Sequence, residues 1–168
     1  MGLDNMIELM MEKMIIKSYG SKKKTDIAHF VKVHSYARTI GKLENLDQQT
    51  LDILEISAIV HDIACPLCRE KYGNSYGQYQ EQEGPSLVKE FLKEFDLENH
   101  IVERVAYLVG HHHTYVDVDG LDYQILLEAD FLVNADEMNL SQDSILKMKN
   151  NVFKTNSGKK LLDAIYDL

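Results

Sequence analysis

The sequence predicts an all-α fold in a single domain, and three observations carry the prediction. Apolar residues recur at helical spacing along nearly the whole chain. Pro66 and Pro85 are the only prolines, so little interrupts a helix. No repeat, low-complexity segment or linker-like stretch divides the 168 residues, a length that suits one domain (1–168) able to bury its own core.

Each element has its own local signal. Met6, Met10 and Met14, with neighbouring apolar positions, predict a first helix of roughly three to four turns. Thr25 or Asp26 is the predicted cap of a second, which turns Ile27, Phe30, Ala37 and Ile40 inward. Asp47 opens a third, carried by Leu51, Leu54, Ala58 and Ile59 up to His61-Asp62. From Pro66 to Gly84 the chain holds Gly73, Gly77, Tyr72, Tyr76 and Tyr79. It reads as a loop across the mouth of a site, with a short helical piece near Gln78 to Gln82. Pro85 suits the first turn of the next helix, through Leu87, Val88, Phe91 and Leu92. Ile101 to Val109 forms another and runs straight into Gly110-His111-His112-His113. After a turn at Val116 to Gly120, Tyr123 to Asn134 is a strongly apolar helix with Ile125, Leu126, Ala129, Leu132 and Val133 inward. Two terminal helices are expected at Gln142 to Phe153 and Lys159 to Asp167.

Composition narrows the function. Hydrophobic residues at 45% and charged ones at 27% fit an ordinary soluble globular chain. A net charge of −9 argues against nonspecific binding to nucleic acid or anionic membranes, which needs basic surface. Small phosphorylated substrates stay compatible with it, because a bound metal ion dominates its local field. No apolar run approaches the roughly 20 residues of a membrane span. Asp4, Glu8 and Glu12 among the first apolar residues speak against a secretory signal. Cys65 and Cys68 are too few for a disulfide framework, so a cytoplasmic protein is expected.

The chemistry is announced by His61-Asp62, inside the apolar run from Leu54 to Ala64. A buried carboxylate costs several kcal/mol unless it is paired or holds a metal. Helical phase supplies candidate partners. His34 lies four residues after Phe30 and three before Ala37, His61 three after Ala58, and Asp130 four after Leu126 and three before Val133. One such residue alone more often satisfies itself with an ordinary hydrogen bond. Two imidazoles and two carboxylates together from three helices make a first shell for Mn, Fe, Co, Ni or Zn.

The order His34, His61-Asp62, Asp130 resembles the HD superfamily of metal-dependent phosphohydrolases. Val33-His34-Ser35-Tyr36-Ala37-Arg38 and Ala58-Ile59-Val60-His61-Asp62-Ile63-Ala64 are similar to its first two motifs, and the resemblance runs from about Thr25 to Asn134. It implies an orthogonal helical bundle with a central metal site. It also implies hydrolysis of a phosphate ester or phosphoanhydride of a small metabolite, nucleotides first, with His34, His61, Asp62 and Asp130 as ligands. Branches such as the HD-GYP phosphodiesterases and the di-iron oxygenases hold a second metal through extra histidines. His111 and His112 fall where those ligands would lie, and Glu83, just before Pro85, stands in for a histidine as an oxygen ligand. The chain has no Gly-Tyr-Pro motif, and Cys65 takes the place of a lysine common in the HD-GYP branch, so a cyclic dinucleotide is not the expected substrate. One or two ions are therefore expected. The alternatives are a di-iron oxygenase on the same scaffold, or a non-catalytic metal- or nucleotide-binding module.

Within the leading reading, Asp62 bridges two ions or orients the attacking water. Lys71 is the expected partner of the phosphate, with Arg69 and Arg38 as further cations. His113 and Glu83 are candidates for general acid or base. Each charge also has a plain reading as solvated surface, and Tyr72, Tyr76 and Tyr79 either stack on a base or simply pack their loop. Cys65-Pro66-Leu67-Cys68 lacks the context of a redox or zinc motif and reads as two incidental, partly buried thiols.

Overall fold

Nine helices run through residues 5–168, the part of the chain that the computed structural model describes. They are α1 (Met6–Lys17), α2 (Lys23–Leu43), α3 (Gln48–Val60), α4 (Cys65–Tyr72), α5 (Gly77–Leu92), α6 (Asn99–Val109), α7 (Leu121–Glu137), α8 (Gln142–Asn151) and α9 (Asn156–Tyr166). The described residues contain no strand. No helix among them is long and apolar enough to cross a membrane.

Two helices are apolar around most of their circumference, and they sit at the centre. α3 is buried without a break from Ile53 to Val60, and α7 from Asp122 to Val133. α2 packs against both, α6 lies against α3 and α5, α1 covers α3, and α9 closes the side of α7 and α2. One apolar core results, running from Met10 to Leu162 through Phe30, Leu54, Val109 and Leu126. Three helix starts carry the side-chain caps their sequences offer: Asp47 accepts from Thr50 N at 3.0 Å, Ser141 from Ser144 N at 3.3 Å and Thr155 from Gly158 N at 2.9 Å.

The segment expected to be a loop is instead two helices. α4 ends at Gly73, whose φ of +75° is the left-handed conformation that glycine adopts cheaply, and α5 begins four residues later. Its polar face escaped the periodicity test because its contacts are polar or backbone-close. Tyr72 and Tyr79 stack at 4.0 Å across the two helices, Gln80 donates to Ser75 O at 2.6 Å, and Glu81 accepts from His113 N at 3.0 Å. Pro85 lies inside α5 rather than in its first turn. There the helix presses on α6, since a Cβ on Gly84 would meet Val109 at 2.8 Å and one on Gly110 would meet Pro85 at 3.0 Å. α2 starts at Lys23, ahead of the expected Thr25 or Asp26 cap, which leaves Asp26 free to receive both terminal nitrogens of Arg69 at 2.7 and 2.8 Å. α7 runs one residue short of a full turn beyond the expected Asn134, and its last residue is Glu137.

Candidate metal centre

α3 ends at Val60 and the chain turns tightly, with Ile63 N donating to Val60 O at 3.0 Å and Cys65 N to Asp62 O at 2.9 Å. This turn sends His61 and Asp62 toward one point from adjacent residues. α7 supplies Asp130, and α2 supplies a histidine that the sequence reading overlooked, His29. His29 Nε2 lies 3.1 Å from His61 Nε2, 3.0 Å from Asp130 Oδ1 and 3.3 Å from Asp62 Oδ2. His61 Nε2 lies 3.4 Å from Asp130 Oδ1 and 3.5 Å from Asp62 Oδ2.

These spacings fit a bound cation. Donor atoms that share an ion at about 2.1 Å stand roughly 3.0–3.4 Å from one another in tetrahedral or octahedral arrangement. The rings are also tied for that task. His61 donates Nδ1–H to Ala58 O at 2.7 Å, which leaves Nε2 facing the cluster. His29 Nδ1 lies 3.1 and 3.0 Å from the two oxygens of Glu137.

A second group stands beside the first, and Asp62 faces both, with Oδ2 toward His29 and His61 and Oδ1 toward His112. Asp62, His112 and His113 also bring one donor atom each within 4.8 Å of one another. His112 donates Nδ1–H to Val109 O at 2.7 Å, and its Nε2 lies 3.4 Å from Asp62 Oδ1 in an electrostatic contact rather than a formed hydrogen bond. The Nε2 atoms of His112 and His113 are both buried with no hydrogen-bond partner. Orphaned buried nitrogens are rare, and two together beside a carboxylate mark a place for a positive charge. Asp62 is the member nearest solvent: its side chain is 22% exposed, against 0% for His61 and His112.

The electrostatics point the same way. Burial works against a charged His29, but its hydrogen bond to Asp130 and the charges of Asp62, Asp130 and Glu137 outweigh it and raise the imidazole to about 10. Burial likewise opposes charge on Asp62 and Asp130, yet the surrounding imidazoles hold both well below the usual carboxylate range. His113 goes the other way: burial, then the neighbouring His112, lower it to about 4, so its ring is neutral at pH 7.

Not every residue singled out in the sequence comes to this cluster. His34 does not: its Nε2 bonds Glu55 Oε1 at 2.9 Å, and Arg38 holds the other oxygen at 2.8 Å. At about 100° per residue, His29 and Gly41 mark opposite edges of the buried stripe of α2, and His34 falls just past the Gly41 edge. That edge meets Glu55 of α3, whereas the His29 edge meets α7. His111 also stays outside, bonded to Tyr107 O at 2.7 Å and stacked on the Tyr107 ring at 4.0 Å. Glu83 is no ligand here, because Lys71 and the Tyr72 hydroxyl hold its Oε1 at 2.5 and 2.6 Å. Lys71 is committed to that pair, and Tyr76 is exposed. Cys65 and Cys68 are free and buried. The spacing that could have found His29 is its place one turn before Val33 and two before Ala37 on the core stripe.

The family model described as HD domain matches residues 26–145. Among solved structures, the crystal structure of a predicted HD superfamily hydrolase from an uncultured Thermotogales bacterium superposes with a TM-score of 0.70, covering 97% of this chain and 86% of that one. Sequence identity is 20%, so the likeness is one of fold. No curated protein matches the chain.

Proposed function

From a chain that belongs to the HD-domain family, we propose a metal-dependent phosphohydrolase that cleaves a phosphate ester or phosphoanhydride of a small metabolite, nucleotides first. The observation that carries this reading is the convergence of His29, His61, Asp62 and Asp130 with donor spacings of 3.0–3.5 Å, beside a second set that shares Asp62. His29, His61, Asp62 and Asp130 would hold one divalent ion, and Asp62, His112 and His113 a second. Such ions lower the pKa of water and offset the charge of phosphate oxygens.

The chain's own groups then divide the remaining work. Asp62, open to solvent on one side, accepts a hydrogen bond from the attacking water and orients it. Where one ion binds, His113, kept neutral by its burial, offers Nε2 as a hydrogen-bond acceptor to that water, and the proton leaves to solvent past Asp62. The walls around the cluster carry no uncommitted guanidinium, since Arg38 is bound to Glu55, Arg69 to Asp26 and Arg104 to Asp119 and Asp122.

The test is metal analysis of anaerobically purified protein, followed by a phosphate-release screen over phosphorylated compounds that include nucleotides. One or two ions per chain and release from at least one compound are expected, both lost in Asp62→Ala. An ion-loaded protein that releases no phosphate from any of them overturns the reading. Oxygen uptake by an iron-loaded sample would then move the assignment to an oxygenase.

A further inference from the structure

We propose that Glu137 is a positioning residue of the metal centre, one that fixes the His29 imidazole with Nε2 toward the cluster and tightens that ligand set around its ion. The inference rests on the metal-binding reading above. Asp130 and Glu137 lie two turns apart on one face of α7, and they grip the His29 ring from opposite ends. Asp130 Oδ1 stands 3.0 Å from Nε2, and the Glu137 oxygens stand 3.1 and 3.0 Å from Nδ1. The ring itself belongs to α2, so its orientation toward α7 depends on this two-point hold.

Helix preferences do not explain a glutamate at this position. Glu137 is the last residue of α7, follows Asp136 by one, and shares a last turn that contains no basic residue. The helix dipole disfavours negative charge there. Its location makes sense through its partner. Two other inward imidazoles are tied by neutral backbone carbonyls, His61 to Ala58 O and His112 to Val109 O, both at 2.7 Å. Of these three rings, His29 alone has a carboxylate behind it. A carboxylate in that position fixes the tautomer of a ligating imidazole and strengthens its free nitrogen as a donor, and losing it typically weakens metal binding about 10–100-fold.

The experiment is a Co²⁺ titration of metal-depleted protein, followed by the visible absorption of the bound ion. It compares wild type, Glu137→Gln, Glu137→Ala and Asp130→Ala, with thermal midpoints measured with and without Co²⁺. The near-isosteric Gln variant removes the charge and keeps the shape, so it covers the case in which the Ala variant folds poorly. Binding about 10-fold weaker for Glu137→Gln and up to about 100-fold weaker for Glu137→Ala is expected. The rise in midpoint on adding Co²⁺ should shrink in the same order. Co²⁺ affinity within twofold of wild type, with the metal-free and loaded midpoints lowered equally, would reduce Glu137 to a structural ion pair and overturn the proposal. A wild-type protein that takes up no Co²⁺ overturns the functional reading itself. Wild type loading normally beside an Asp130→Ala variant that does not, with Glu137→Ala loading like wild type, overturns only the role of Glu137.

Discussion

Replacing Gly77 by alanine should disable the second ligand group from a distance while leaving the fold nearly intact. Gly77 is the first residue of α5, and it is not among the glycines with positive φ, so alanine meets no backbone strain there. Its difficulty is His113. A Cβ at position 77 would lie 2.7 Å from His113 Cγ and 2.9 Å from His113 Cβ, where ordinary contact begins near 3.4 Å. The ring must therefore withdraw by about 0.7 Å, well beyond the roughly 0.2 Å tolerance of a metal–ligand distance. Crowding of this kind costs about 1–3 kcal/mol, and alanine returns at most about 1 kcal/mol of helix propensity. With that full return the net cost is about 0–2 kcal/mol, which for a chain of this length is a fall in midpoint of up to about 8 °C. Metal content and turnover should fall disproportionately: one ion lost from a two-ion protein, and phosphate release down by about an order of magnitude or more. Elemental analysis, thermal denaturation and an assay at saturating metal would show this. Gly77→Ala protein with wild-type ion content and wild-type turnover would refute the placement of His113 at the site.

The correction of one histidine for another is directly testable: His29→Ala should lose bound metal and activity, whereas His34→Ala should keep the metal. The latter should be destabilised by about 1–2 kcal/mol in urea unfolding, because buried Glu55 then keeps only Arg38. Equal metal loss in both would contradict the assignment. Glu128, fully buried on α7, accepts from Gln124 Nε2, Lys154 N, Thr155 N and Thr155 Oγ1, so Glu128→Ala strands the last three donors, while Gln124 Nε2 keeps Val152 O. It should cost about 3–5 kcal/mol, and a change under 1 kcal/mol in urea unfolding would show that the α8–α9 connection is held by other contacts.

The parts of this molecule that periodicity can see were visible in the sequence. Buried stripes located the central helices, and the apolar runs around His61-Asp62 and Asp130 made those ionisable groups conspicuous. What periodicity cannot see is which neighbour a helix edge will meet. His29 and His34 flank the same stripe of α2, and only the packing of α7 on one side and Glu55 of α3 on the other separates the cluster member from the ion-pair partner. α5 was hidden for a different reason. Its first two turns pack through glycine and through polar groups that answer one another across the chain, so no apolar stripe betrays them. Glu137 lay just past the expected end of α7, in the few residues where helix boundaries are least legible.

Three consecutive histidines with three fates show how sharply local turns sort equivalent side chains. α6 ends at Val109, and the chain then turns, with Gly110 N bonded to Ala106 O at 2.9 Å and His111 N to Leu108 O at 3.1 Å. Successive side chains leave this turn in different directions. His111 folds back on Tyr107, His112 enters the core, and His113 is pressed inward by Gly77 while Glu81 holds its N–H. Charge then constrains how the site operates. All three arginines of the chain are bound to carboxylates, and Lys71 is bound to Glu83. The cations that the sequence offered to a phosphate, Lys71, Arg69 and Arg38, are thus all engaged with carboxylates of the protein. His29 sits among three carboxylates, Asp130, Asp62 and Glu137, which together outweigh its burial and raise the imidazole to about 10. Three carboxylates around one imidazole give the cluster a negative balance, the electrostatic condition that favours a cation at its centre.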